Sequence, residues 1–205
     1  MHGTIACMSD PTSAADLQLD KRALRVLAHP LRSRLLTELR VNGPATATEL
    51  AARLNTNTGA TSYHLRELES VALVSDSGEG LGKRRVWQAS TASHSWQNSG
   101  FADDPDARAS LDWLRRNYLS DYAAQAERWL EAERLWPSEW ADQLGFGDVM
   151  LEVSAERLAE FHAEFEALAA KYGAAAQTAN QGEGVRKILF VTGAIPLDLA
   201  PPESQ

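Results

Sequence analysis

The chain has 205 residues, 44% of them hydrophobic, a formal net charge of −8 at neutral pH and one cysteine. That length supports a buried core in one large domain or two small ones. No apolar run approaches the ~20 residues that cross a bilayer, and a lone Cys7 excludes an intrachain disulfide and suits a reducing cytoplasm. The charge is unevenly placed: residues 1–100 hold 11 Lys+Arg against 9 Asp+Glu, net +2, and residues 101–205 hold 9 against 19, net −10. A polyanionic partner therefore suits the first half and not the second.

Met1 to Ala15 has neither the basic head nor the apolar centre of a secretory signal, and reads as a disordered leader. Asp16 to Ala28 is expected to be helical, with Leu17, Leu24 and Leu27 on one side. Pro30 suits the first position of a second helix, striped by Leu31, Leu35, Leu36 and Leu39 and ended by Gly43-Pro44. Ala45-Thr46 suits a short strand. A third helix, Thr48 to Leu54, places Leu50, Ala51 and Leu54 on one face, and Asn55-Thr56-Asn57 breaks it. Asn57 then caps a fourth helix. Its buried face is Thr61, Leu65, Leu68 and Ala72, at i, i+4, i+7 and i+11.

The opposite face of that fourth helix carries Thr58, Ser62 and Arg66, with Gly59 and Tyr63 beside them. Small residues at a helix N-terminus let its backbone approach a surface closely. Hydroxyls and a guanidinium bond base edges or phosphates, and the helix dipole favours anions at that end. A short helix, a tight break and a helix of this kind form the helix-turn-helix geometry, whose second helix enters the major groove. Leu73 to Asp76 and Val86 to Gln88 then read as the strands of a hairpin. Its glycine-rich tip, Ser77 to Gly82, leads into Lys83, Arg84 and Arg85, a cationic wing placed to lie along a phosphate backbone. Further cations at Lys21, Arg22, Arg25, Arg32 and Arg34 are expected to help neutralise phosphates.

Leu27 to Gln88 resembles a winged helix-turn-helix domain of the ArsR-like type. The resemblance is carried by Ala28-His29-Pro30-Leu31-Arg32, by the run Asn57 to Arg66 and by Lys83-Arg84-Arg85-Val86-Trp87. It implies homodimeric transcriptional regulation, mostly repression, and duplex DNA contacts from Thr58, Gly59, Ser62, Tyr63, Arg66, Lys83, Arg84 and Arg85. The remainder resembles, more loosely, the acidic tryptophan-bearing half of an actinobacterial branch. Metal-sensing members carry cysteines near the first helix of the turn unit, where this chain has Glu49-Leu50-Ala51-Ala52-Arg53. The five histidines show no i, i+4 pairing with each other and no accompanying cysteine, so no metal or cofactor is expected. His64 reads as a partly buried helix histidine bonded locally.

Thr91 to Asp103 is polar and reads as a linker. Asp104 as N-cap and Pro105 at the first position open a long helix to about Leu135, striped by Leu111, Leu114, Tyr118, Tyr122, Ala126 and Trp129. At ~45 Å it exceeds what a small domain needs for itself and suits packing against a second subunit. Trp113, Tyr118, Tyr122, Trp129, Trp136 and Trp140 read first as core and dimer interface, and alternatively as the wall of a small-molecule effector pocket. Val149, Leu151 and Val153 alternate as a strand, Ser154 caps a helix to Tyr172 that Gly173 stops, and 174–184 is a flexible connection. Residues 187–192 read as a buried strand able to pair with 149–153, and the tail from Pro196 as irregular.

The fold class expected is mainly α. A leader over 1–15 precedes a winged helix-turn-helix domain over 16–90, with a two- or three-stranded β wing. A linker over 91–103 leads to a helical C-terminal domain over 104–200 with a small β element. No nucleophile elbow, phosphate-cradling loop or metal triad supports enzyme chemistry. The function expected is a cytoplasmic homodimeric regulator, more readily a repressor, on an inverted-repeat operator. The alternative is a winged protein-interaction module, an anti-activator that does not read DNA.

Overall fold

A computed structural model describes residues 17–80, 82, 84–178 and 185–198. The leader, Lys83 and most of the 174–184 connection lie outside the described residues. The first half is set up by side chains that satisfy helix N-termini. Asp20 caps α1 (Lys21–Leu27), its Oδ1 accepting the Ala23 N–H at 2.7 Å. His29 Nδ1 accepts from Leu31 N at 3.2 Å and caps α2 (Pro30–Asn42). Thr46 and Glu49 form a reciprocal capping box on α3 (Ala47–Arg53). Asn57 Oδ1 accepts the Ala60 N–H at 2.8 Å, opening α4 (Thr58–Glu69).

Three short strands follow the expected hairpin plan. β2 (Ala45–Thr46), β3 (Val74–Asp76) and β4 (Val86–Ala89) form an antiparallel sheet in the order β2-β4-β3, with Thr46 opposite Val86 and Asp76 opposite Trp87. Two local expectations need correction. The first helix starts at Lys21 rather than Asp16, because Leu17–Gln18 form β1, paired in parallel with β5 (His94–Ser95). Ala72 is not on the buried face of α4; it lies beyond the helix end, exposed and with a positive φ of 59°.

The core gathers Leu24 and Leu27 of α1, Leu35, Leu36 and Leu39 of α2, Leu50 of α3, and Leu65 and Leu68 of α4, with Val74 and Trp87 from the sheet. It does not end at the wing. Phe101 and the first turns of α5 (Pro105–Ala132), through Ala107, Leu111 and Leu114, are buried in the same cluster. The expected linker is therefore packed: it holds β5 and a 3-10 turn over Asn98–Phe101 whose phenyl ring is a core residue. Asp104 caps α5 through the Ala107 N–H at 3.0 Å, and its Oδ2 also accepts from Arg25 at 2.8 Å and lies 3.6 Å from Lys21.

Beyond Leu114 no described residue is fully buried, although Tyr118 is partly buried against the core. α5 gives way to a 3-10 turn (Glu133–Leu135), α6 (Ser138–Ala141) and α7 (Ala155–Thr178). α7 begins at the Ser154 cap, whose Oγ accepts from Arg157 N at 3.3 Å. Gly173 does not stop it, consistent with the helix-favouring Ala174-Ala175-Ala176 that follow. Neither 149–153 nor 187–192 forms a strand among the described residues; both are irregular and their apolar side chains are exposed. Alternation specifies a strand only where a neighbouring strand takes up its backbone groups, and here none is adjacent.

Candidate nucleic-acid interface

The candidate surface is produced by the packing of α3 against α4. Asn55 takes a left-handed conformation (φ 51°), and the Thr56 N–H bonds the Ala51 carbonyl at 2.9 Å, which folds the chain back within four residues. Thr61 is wholly buried and donates its hydroxyl to the Asn57 carbonyl at 3.0 Å, while Leu65 and Leu68 enter the core. The inward face being fixed, Thr58, Gly59, Tyr63 and Arg66 are exposed on the other, with Ser62 half-buried between them. Tyr63 is 55% exposed. An added Cβ at Gly59 would meet only Asn57 Oδ1, at 3.4 Å, so packing does not demand glycine there. Its effect is to leave the helix N-terminus slim. The guanidinium of Arg66 has no protein partner among the described residues.

His64 sits where α4 turns inward, in a polar cluster with α2. Arg32 donates from Nε to His64 Nδ1 at 3.2 Å and from Nη1 to the Val26 carbonyl at 3.1 Å, and its Nη2 lies 3.4 Å from Glu67. The rings of His29 and His64 lie 4.4 Å apart. Both are held below the ordinary histidine value: His29 by burial and then the Arg32 charge, His64 by burial, then His29 and Arg32. Arg32, its side chain only 13% exposed, is a brace between helices rather than a phosphate ligand. Lys21 and Arg25 are likewise committed to Asp104, and Arg22 to the Ser70 hydroxyl at 3.3 Å. Lys21 and Arg25 nonetheless stay half-exposed, so of these cations only Arg32 is taken up mainly by the protein.

In the wing, Gly78 and Gly82 adopt positive φ, and a Cβ on Gly80 would fall 1.8 Å from the Arg84 carbonyl oxygen. The tip closes only because position 80 lacks a side chain. Arg84 and Arg85 are exposed but paired. Arg84 Nη2 lies 3.3 Å from Glu49 Oε1, and Arg85 Nη1 lies 3.3 Å from both oxygens of Glu69. Glu49, Glu69 and Asp76 as partners of the wing were not anticipated. Thr46-x-x-Glu49 carries a capping-box signature in the sequence, whereas the pairings across the wing join residues far apart in the chain.

The six aromatic residues do not converge. Trp113 and Tyr118 pack on the core, and Tyr118 stacks with Tyr122 at 6.1 Å. Trp129, Trp136 and Trp140 form a separate edge-to-face ladder at 5.5 and 6.1 Å near the far end of α5. Sequence reasoning also missed His94. Arg40 donates to its Nδ1 at 2.7 Å, so the ring proton resides on Nε2 and is donated to Tyr118 Oη at 2.8 Å. Burial pushes the Tyr118 hydroxyl well above the usual tyrosine range. A shallow hollow of about 340 Å³ is lined by Asn98, Phe101, Arg108, Leu111, Asp112 and Arg115, and by none of the six aromatics.

Four helices with a turn between the third and fourth, an antiparallel sheet and an exposed fourth-helix face define a winged helix-turn-helix protein. A family described as a helix-turn-helix domain matches residues 27–76. No curated protein matches the chain. Among solved structures it is similar to reduced HlyU from Vibrio cholerae N16961, at 22% identity over 47% of this chain and 85% of that one, TM-score 0.31. It is also similar to a possible transcriptional regulator for arsenical resistance, at 27% identity over 54% of this chain and 94% of that one, TM-score 0.30.

Proposed function

We propose that the protein is a sequence-specific, DNA-binding transcriptional regulator of the ArsR-like type, acting as a homodimer. The observation that carries this reading is the exposed, small-residue leading half of α4, with Arg66 free of protein partners among the described residues and an arginine-bearing wing in the same domain. Thr58, Gly59, Ser62 and Tyr63 would enter the major groove, Arg66 would reach a base edge or phosphate, and Lys83, Arg84 and Arg85 would follow the backbone. Repression rests on the family resemblance alone, and a cytoplasmic setting on the single cysteine, which suits a reducing compartment.

A second copy is supported by the distal half of the chain. Leu130, Leu135, Phe146, Met150, Phe161, Leu168 and Phe190 are all exposed, apolar side chains that a second copy would cover. Two copies joined there would present two α4 helices to half-sites about one helical turn, ~34 Å, apart. The aromatics, split between the winged core and the far end of α5, support packing over a shared effector pocket.

Selection of bound duplexes from a random library by the purified protein tests the reading. An inverted repeat with one-turn spacing is expected, and fluorescence anisotropy on that repeat should show Arg66→Ala and the triple Lys83/Arg84/Arg85→Ala variant greatly weakened, with folding kept. A wild-type chain that enriches no sequence and shows no salt-dependent duplex affinity would leave the protein-interaction reading instead.

A further inference from the structure

Both described wing arginines are held by carboxylates on the helices of the turn unit. Glu49, at the start of α3, uses Oε2 to accept the Thr46 N–H and hydroxyl at 2.7 Å each, leaving Oε1 for Arg84. Thr46 Oγ1 lies 3.5 Å from the same guanidinium nitrogen. Glu69, the last residue of α4, presents both oxygens to Arg85. Arg85 Nε lies 3.6 Å from Asp76, and its guanidinium sits over the Trp87 ring, 5.4 Å from the centroid. Glu67, one turn-face away on α4, touches neither wing arginine and pairs with Arg32.

A carboxylate offers a guanidinium the same pair of acceptor oxygens as a phosphodiester. The wing pairs are half-exposed on both sides, so each is weakly held and open to exchange. Arg32–Glu67 differs in that its arginine is largely buried and braced by a backbone carbonyl as well.

We infer that Glu49 and Glu69 form a carboxylate latch that occupies the wing arginines in the free protein and sets how strongly the wing grips a polyanion. The inference rests on the proposed DNA reading, because phosphates are what displace the carboxylates. Binding exchanges each carboxylate for a phosphate. The net gain per arginine is therefore smaller than for an unpaired cation, and the two acids lower duplex affinity without touching a base.

The test compares full-length wild type with Glu49→Gln, Glu69→Gln, their double variant and Glu67→Gln, on a 20-base-pair random-sequence duplex across a salt series. Glutamine at position 49 keeps the capping box. Each wing variant should bind up to about fivefold tighter than wild type, the double variant more tightly than either. Glu67→Gln removes the same charge from the same helix and should stay within twofold. Equal tightening by Glu67→Gln, or unchanged or weaker binding by both wing variants, overturns the latch while leaving the DNA reading intact. Absence of duplex binding by the wild type overturns the DNA reading itself, and with it the exchange. A readout without DNA is the Nε–Hε resonances of Arg84 and Arg85, which should move in Glu49→Gln and Glu69→Gln respectively. Resonances that stay in place show that no latch exists.

Discussion

The two ends of α5 lie in different environments. Its first turns bury Ala107, Leu111 and Leu114 among side chains from α1 and the 3-10 turn, while everything from Leu119 onward lacks a buried residue among those described. One helix is thus both part of a finished core and the start of a surface that the single chain leaves uncovered. Uncovered apolar area contributes nothing to folding until a partner removes it from water. The winged half therefore has a core of its own, and the distal half is the part that the proposed dimer would stabilise.

The sharpest way to break that contrast is to truncate one leucine on each side. Leu65→Ala, at a site with no exposure, should lower stability by about 2–5 kcal/mol in denaturant unfolding, because the cavity adds to the lost transfer energy. Leu168→Ala, on exposed α7, should cost the monomer less than about 0.5 kcal/mol. Comparable losses at both positions would mean the distal half carries a core of its own. Next in size is the effect of Phe161→Arg with Leu168→Arg. Sedimentation should shift from dimer to monomer, and affinity for an inverted repeat should fall about 100-fold as the second half-site contact becomes intermolecular. An unshifted dimer would move the interface elsewhere.

The smallest effect concerns pH and belongs to the winged half alone. His29 and His64 are held neutral, so as pH falls the unfolded chain takes up protons before the folded one. Stability should be full above the ordinary histidine value of about 6.5 and decline as pH drops through it toward the depressed folded values. Glu67, which opposes the shift of His64, softens the decline. The carboxyls of Glu49 and Asp104 are also lowered, Glu49 chiefly by its bond from the Thr46 hydroxyl and Asp104 chiefly by the Ala107 N–H. Their stabilisation is kept until the pH approaches about 4, which separates the two windows. Thermal melts of wild type and His64→Gln between pH 8 and 5 measure the difference; parallel curves would remove His64 from the account.

What could be read from the chain beforehand follows the range of the interaction responsible. Asn57, Asp104 and Ser154 as caps, Pro30 and Pro105 at first helical positions, and the glycine-tipped hairpin all depend on residues within a few positions of each other. The partners of Arg84 and Arg85 lie 35 and 16 residues away, and His94 joins Arg40 to Tyr118 across 54 and 24. No local pattern encodes such distances. Residues 91–103 look like a linker in the sequence because polar composition hides one buried ring, Phe101, and a two-residue parallel strand pair. The apolar alternation at 149–153 invited the opposite error, since strand-like composition needs a neighbour that the single chain does not provide.

The placement of α5 also has a mechanical consequence. Its capped end is tied by Asp104 to Lys21 and Arg25, and α1 in turn packs beneath α4. A 28-residue helix is about 42 Å long, so a tilt of about 5° at the tied end displaces the other by nearly 4 Å. A shift of a few ångströms at the far end of α5 would therefore correspond to a rotation of only a few degrees where the helix enters the winged core.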